Sequence, residues 1–205
     1  MSLVNALDRI AELQALLAPT PAPTVTATTA QPTTFATALT NATTSGSPLA
    51  STASVAGAGT GATPAGQAAL AAAQAEVGVA EQPPGSNDSP RIAQYRQATA
   101  GNPGPGAWCA YFVSWASRQA GAPLGDYGQG FGRVDDVWSW AQGAGRTTQT
   151  PAPGDLVVWD EHIGIVESVQ ADGSITTVEG NSSDQVARRT YGPDHGGAVG
   201  FVRIG

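Results

Sequence analysis

Residues 155–180 read DLVVWDEHIGIVESVQADGSITTVEG, and this stretch decides the fold. Two runs rich in valine and isoleucine, 156–159 and 162–169, predict neighbouring buried strands, because β-branched residues fit a pleated sheet. Asp172-Gly173 is a hairpin turn signal, so residues 174–179 are expected to run antiparallel to the preceding strand. The stretch therefore predicts the centre of an antiparallel sheet.

The flanking sequence completes the expected architecture. Beyond the hairpin, residues 186–191 and 198–204 bring the sheet to about five strands. Before it, capping residues and helical spacing predict helices at 67–77 (opened by Pro64), from Ser89-Pro90 through Tyr95, at 109–120 and at 134–141. Helices followed by an antiparallel sheet predict an α+β domain, to which we assign residues 64–205.

The first 18 residues carry leucines and Ile10 at intervals of three and four, and Pro19 follows them. This spacing predicts an amphipathic helix over residues 1–18. An isolated helix of this length is marginal in water. Two readings stay open: the helix docks on a protein partner or on a second copy, or it is weakly populated and has no role.

Residues 19–63 consist mainly of Thr, Pro, Ala, Ser and Gly. Such a segment buries too little apolar surface to offset its ordering entropy, so we predict a disordered linker.

The full chain of 205 residues has a formal net charge of −7 and no cluster of basic residues, which argues against a nucleic-acid partner. No stretch is long and apolar enough for a transmembrane segment.

The N-terminus does not read as a secretory signal. Asp8, Arg9 and Glu12 interrupt the region that would have to be apolar, and the chain lacks a basic start. We therefore expect any export to use a route other than an evident signal peptide.

Cys109 is the single cysteine, and it stands where the loop in PGPGAWCAYFVSW (103–115) turns into a predicted helix. The start of a helix favours an anion, which lowers a thiol pKa and makes a thiolate nucleophile available. The alternative is a small buried hydrophobic residue, the more frequent role of a lone cysteine. A histidine and an orienting group elsewhere in the chain would decide between these readings.

Two histidines are present. Antiparallel pairing across the Asp172-Gly173 turn brings His162 near Glu179 and Asn181, so Glu179 can bind one ring nitrogen and leave the other for the Cys109 thiol. Cysteine, histidine and a carboxylate together make up the arrangement of nucleophilic acyl transfer. The alternatives are a surface histidine and a solvated turn carboxylate; His195 reads as a flexible loop residue.

Other chemistries fit the sequence less well. One cysteine and two widely separated histidines supply no zinc site, so we expect no metal and no cofactor. A Gly-x-Ser-x-Gly elbow for a serine nucleophile is absent.

Successive blocks of the sequence resemble a CHAP domain, a branch of the papain-like and NlpC-type peptidoglycan hydrolases. The blocks are WCAYFVSW (108–115), PGDLV (153–157), HIGIV (162–166), VEGN (178–181) and GFVR (200–203). The name denotes cysteine, histidine-dependent amidohydrolases/peptidases. The resemblance extends over residues 64–205 and implies a papain-like α+β fold with N-terminal helices packed on the C-terminal sheet.

The resemblance also implies roles for four residues. Cys109 corresponds to the nucleophile, His162 to the general base and acid, Glu179 to the residue that orients His162, and Asn181 to a further polar member of the site. The implied substrate is peptidoglycan, cut at the muramoyl–alanine amide or within its peptides. Some relatives bind calcium through an aspartate-rich loop, but no such run precedes Cys109.

The N-terminal part is similar to the N-termini of hydrolases found with flagellar assembly machinery in actinobacteria. That similarity implies export through the assembly apparatus and a location in the cell wall or outside the cell. Two other readings stay open: a catalytically silent module for wall binding or assembly, and an intracellular cysteine amidohydrolase.

Overall fold

The computed structural model describes residues 61–101 and 103–205. The predicted helix at 1–18 and the predicted linker, apart from residues 61–63, lie outside the described residues. The described part contains helices α1 (Pro64–Gln74), α2 (Pro90–Arg96), α3 (Cys109–Gln119) and α4 (Val134–Gly143), and strands β1 (Thr147–Thr148), β2 (Leu156–Val158), β3 (Ile163–Val169), β4 (Ile175–Glu179), β5 (Ala187–Tyr191) and β6 (Gly200–Val202).

Two of the helices begin at a capping residue followed by proline. The Thr63 hydroxyl accepts a hydrogen bond from the Gly66 amide (2.9 Å), and Ser89 does the same for Ile92 (3.2 Å). Proline suits the first helical position because its missing N–H would have no partner there. The first helix therefore begins at Pro64, the residue predicted to open it, and ends at Gln74, three residues before the predicted 77.

The strands form one sheet in the order β1-β6-β2-β3-β4-β5, and every neighbouring pair is antiparallel. This confirms the predicted α+β class. The sheet has six strands rather than about five, because β1 pairs with β6 over only two residues, which is too short for a sequence pattern. The predicted strand at 198–204 is likewise shortened to Gly200–Val202.

Side chains alternate between the two faces of the sheet. On one face, Ile163, Ile165 and Val178 pack with buried residues of α1 and α3 such as Leu70 and Phe112. The opposite face carries a smaller cluster formed by Val157, Val166, Ile175 and Phe201, against which Trp159, Tyr191 and Ala198 pack. The helices therefore cover one face, and aromatic side chains cover part of the other.

Polar contacts tie the elements together. Glu76, just beyond α1, accepts hydrogen bonds from both Arg91 (2.6 and 2.7 Å) and Tyr95 (2.7 Å) of α2. Hydrogen bonding to Arg91 leads the effects that lower the pKa of Glu76, so the carboxylate stays ionised. Asp155 is 2% exposed and accepts two hydrogen bonds from Arg203.

None of the helices described here is long and apolar enough to cross a membrane.

Candidate active site

Cys109 is the first residue of α3 and lines an open groove of about 360 Å³. Its relative exposure is only 4%, so the sulfur belongs to the core but borders the groove. The preceding residue, Trp108, provides no side-chain cap for the helix. The first-turn N–H groups of a helix have no intrahelical partner and carry partial positive charge, which favours an anion at this position.

Trp108 is completely buried and anchors the start of α3. Its indole Nε1 donates a hydrogen bond to Glu81 (2.9 Å), and its ring lies against those of Tyr95 and Phe112. A large side chain held by packing and by a polar contact has little freedom to move. Trp108 therefore fixes the position of the adjacent Cys109.

His162 directly precedes β3, and its Nε2 lies 2.8 Å from Oε2 of Glu179. Because Glu179 occupies Nε2, Nδ1 is the ring nitrogen left for the thiol of Cys109. Burial lowers the pKa of His162, but hydrogen bonding and charge interaction with Cys109 and Glu179 outweigh it and raise the pKa to about 9. The structure thus brings Glu179 to His162, and the effect of Cys109 on the pKa of His162 indicates that the thiol lies near the ring.

Glu179 is 1% exposed, and both oxygens of its carboxylate have polar partners. One oxygen, Oε1, accepts hydrogen bonds from Thr177 (2.5 Å) and Tyr191 (2.9 Å), and Oε2 faces His162. Burial raises the pKa of Glu179, but hydrogen bonds from His162, Thr177 and Tyr191 hold it below its usual value. The carboxylate is therefore ionised beside the imidazole.

Two glycines make room for this arrangement. A Cβ on Gly164 would stand 2.6 Å from Cγ of Glu179, and one on Gly180 would stand 2.6 Å from Cβ of Phe112 in α3. Gly164 thus leaves space for the orienting carboxylate. Gly180 allows the end of β4 to approach the helix that carries Cys109.

An aromatic pair lies beside the imidazole. The Trp159 ring stacks on His162 with centroids 5.7 Å apart, and Tyr191 lies 4.8 Å from Trp159. The Trp159 indole donates to the carbonyl of His195 (2.9 Å). His195 thus contributes its backbone, while its ring Nε2 lies 3.0 Å from the Gly173 carbonyl.

Asn181, the fourth predicted site residue, follows Glu179 by two positions and has a left-handed backbone (φ 56°). In the part of the chain that the structure describes, its side chain makes no hydrogen bond to Cys109, His162 or Glu179. The structure therefore joins His162 and Glu179 by a hydrogen bond and leaves Asn181 outside that contact.

The groove beside Cys109 is acidic. Its lining includes the carboxylates of Asp135, Asp160 and Glu161 and the guanidinium of Arg133. This excess of negative charge favours neutral or positively charged substrates over polyanions. Over residues 61–101 and 103–205, no three His, Cys, Asp or Glu side chains are grouped closely enough to hold a metal ion.

An α+β fold with a cysteine at a helix start and a carboxylate-bound histidine beside an antiparallel sheet is consistent with a papain-like fold. Residues 100–181 match the family model of the CHAP domain, and this segment includes Cys109, His162, Glu179 and Asn181. This match confirms the resemblance to a CHAP domain that the sequence blocks predict. At the family level this domain indicates amidase or peptidase activity on peptidoglycan. No curated protein matches the chain.

Sequence reasoning did not identify the residues other than His162 that contact or make room for Glu179. Alternation along 175–179 places Thr177 on the same face as Glu179, so this neighbour was readable from the sequence. Tyr191 and Gly164 were not, because their contacts depend on strand register across the sheet. Trp159 is the last residue of a predicted strand, but nothing in its spacing indicates that it stacks on His162.

Proposed function

We propose that this domain hydrolyses an amide bond of peptidoglycan, with Cys109 as nucleophile, His162 as general base and acid, and Glu179 as the residue that orients His162. The bond is either the muramoyl–alanine amide or a peptide bond within the stems and cross-bridges. The observation that carries the proposal is the hydrogen bond between His162 and the buried Glu179, together with Cys109 at the start of α3 on an open groove and its effect on the pKa of His162.

The first half-reaction forms a thioester. The Cys109 sulfur attacks the amide carbonyl carbon, and the carbonyl oxygen becomes an oxyanion. The backbone amide of Cys109, at a helix start without a side-chain cap, is our proposed donor to that oxyanion. As the C–N bond breaks, the His162 imidazolium gives its proton to the leaving amine, and the acyl group remains on sulfur.

The second half-reaction hydrolyses the thioester. His162, now neutral, takes a proton from a water molecule, and the resulting hydroxide attacks the acyl carbon. The C–S bond breaks, the carboxylic acid leaves, and Cys109 and His162 return to their starting state. Throughout, Glu179 accepts the Nε2–H bond and stabilises the positive charge on the ring.

The electrostatics of the site support this mechanism. The thiolate form of Cys109 and the Glu179 carboxylate both favour an imidazolium, which is why the pKa of His162 rises to about 9. At neutral pH the ring then carries the proton that the leaving amine requires. Above about pH 9 that proton is lost, so we expect kcat to fall as the pH rises through this value.

The experiment measures new amino groups released from purified wall sacculi by the full chain. We expect the wild type to release them, and Cys109→Ala and His162→Gln to show no release while keeping a folded far-UV circular dichroism spectrum at the assay temperature. The matched control is His195→Gln, which alters the other histidine and should retain activity. Full activity of Cys109→Ala would refute the proposal, and an inactive wild type would favour a silent wall-binding module.

Defined muropeptides distinguish the two bond types. Mass spectrometry of the products shows a free lactyl carboxylate and an intact stem peptide if the enzyme is an amidase, and shortened peptides if it is an endopeptidase.

We further propose that the enzyme acts in the cell wall or outside the cell. Fractionation of producing cells tests this location, and exclusive recovery from the cytoplasm would favour an intracellular amidohydrolase.

A further inference from the structure

We propose that Tyr191 and Thr177 are positioning residues that hold the Glu179 carboxylate in the orientation that presents Oε2 to His162. This assignment rests on the proposed function, because it gives the two hydroxyl groups a part in that reaction. Among the described residues, neither side chain lines the groove or makes a hydrogen bond to Cys109, so both act through Glu179.

The hydrogen bonds around the carboxylate carry the argument. Thr177 and Tyr191 both donate to Oε1, at 2.5 and 2.9 Å, and leave Oε2 to His162 at 2.8 Å. A carboxylate can rotate about its terminal torsion, which is broad in energy. Two donors on one oxygen stop that rotation and determine which oxygen His162 receives.

Tyr191 also contacts the aromatic ring that stacks on His162. Its ring lies 4.8 Å from Trp159, which in turn stacks on His162. Tyr191 therefore holds Glu179 through its hydroxyl and supports the ring that covers His162. Gly196 permits this packing, since a Cβ there would stand 2.7 Å from the Tyr191 ring.

Strand register explains why these residues meet. In the β4–β5 ladder Ile175 pairs with Tyr191 and Thr177 pairs with Arg189, so Tyr191 and Thr177 are diagonal neighbours on one face. Glu179 lies on the same face two residues beyond Thr177.

Several charged or titratable groups surround this network. His162 faces Glu179 from the start of β3, Tyr191 faces it from β5, and Cys109 raises the pKa of the imidazole. Burial and the nearby carboxylate raise the pKa of Tyr191, while Arg189 lowers it, so the hydroxyl keeps its proton and remains a donor.

The first measurement is the pH dependence of Cys109 alkylation by iodoacetamide, which requires no wall substrate. We expect Tyr191→Phe to lower the rate constant at pH 7 about tenfold, the loss of one hydrogen bond to a charged group. The acidic limb of the pH–rate profile should move to higher pH, because a Glu179 carboxylate that has lost a hydrogen-bond donor is protonated more readily. The matched control is Tyr127→Phe, the same change at a tyrosine that is 95% exposed.

Variants at Thr177 separate positioning from packing. Thr177→Val keeps the shape and removes the hydroxyl, so it should reproduce the Tyr191→Phe profile. Thr177→Ser keeps the hydroxyl and should restore the wild-type profile. Because both donors bind the same oxygen, the double variant Tyr191→Phe/Thr177→Val should deviate from the product of the single effects.

On peptidoglycan, Tyr191→Phe should lower kcat about tenfold and leave KM unchanged, since the groove is intact. Alkylation profiles of Tyr191→Phe and Thr177→Val that coincide with the wild type would overturn the inference. If Thr177→Val does not fold, Tyr191→Phe decides alone. A wild type that releases no amines from sacculi contradicts the proposed function instead, and the alkylation profile still reports on the positioning network.

Discussion

Gly164 and Glu179 each lie next to the Ile165–Val178 pair of the β3–β4 ladder, and a Cβ at position 164 would stand 2.6 Å from Cγ of Glu179. A side chain there would push the buried glutamate away from His162. We expect Gly164→Ala to lower kcat about tenfold through the weakened charged hydrogen bond. Overpacking should also cost about 1–3 kcal/mol in the free energy of unfolding.

Kinetics on muropeptides and urea denaturation check the Gly164→Ala prediction. Gly143→Ala is the matched control, because nothing lies within 4 Å of a Cβ at that helical position. Alanine is the better helix former, so this control should be neutral or slightly stabilising. Gly164→Ala with wild-type kcat would mean that Glu179 has room to move without losing His162.

Gly180 sets how closely α3 approaches the sheet. A Cβ at 180 would stand 2.6 Å from Cβ of Phe112 and 2.8 Å from the Trp108 ring. We expect Gly180→Ala to displace the start of α3 and lower kcat about 100-fold, because small misplacements of reacting groups are costly. Kinetics and the iodoacetamide rate at Cys109 check this, and unchanged values for both would contradict it.

Removal of the thiol should change the titration of His162. Cys109 is one of the two groups that raise the pKa of His162 to about 9. In Cys109→Ala only Glu179 remains to oppose the effect of burial, so the pKa of His162 should fall. Titration of the His162 ring by NMR in the two proteins checks this. An unchanged value would mean that the sulfur does not interact with the imidazole.

The same groups make stability depend on pH. The pKa of His162 rises from 6.5 to about 9 on folding, so its contribution is complete below about pH 6.5 and is lost as the pH rises through about 9. The pKa of Glu179 is lowered from 4.5, so its contribution exists above that value and is lost as the pH falls. We expect the free energy of unfolding to decline between pH 6.5 and 9.

Urea denaturation at pH 6 and pH 9 checks this dependence. The control is His162→Gln, which has no titrating ring at this position and should lose most of the decline. An equal decline in both proteins would assign the pH dependence to other groups.

Asp155 and Arg203 join the loop before β2 to the C-terminal end of the chain. The Asp155 carboxylate is 2% exposed and accepts from Arg203 at 3.1 and 2.9 Å. Arg203→Met leaves that carboxylate buried without its cation, so we expect a loss of about 3 kcal/mol in the free energy of unfolding. Thermal and urea denaturation check the loss, and kcat of the folded protein should stay near the wild-type value.

An exposed ion pair offers the comparison. Arg133 and Asp135 lie 3.7 Å apart with side chains 75% and 72% exposed. We expect Arg133→Met to change the free energy of unfolding by less than about 1 kcal/mol. Equal losses in Arg203→Met and Arg133→Met would mean that the burial of Asp155 does not make the loss of its cation more costly.

Much of the fold was predictable because its signals are local. Apolar runs, the Asp172-Gly173 turn and the prolines after capping residues each depend on a few neighbouring residues, and they indicate the helices, the central hairpin and the α+β class. Strand β1 was not predictable, since two residues have no periodicity. The C-terminal end of α1 lies at Gln74 rather than at the predicted 77.

The sequence by itself determined the chemical inventory of the site: one cysteine at a helix start, a histidine before a strand, and a glutamate that hairpin pairing brings towards it. Only the tertiary structure decided which groups hold that glutamate, and that Asn181 stays outside the hydrogen-bonded set. The physical reason is register. Tyr191 reaches Glu179 through the pairing of β4 with β5, and Gly164 makes room for it across β3, so both contacts depend on how separate strands align rather than on the residues beside them.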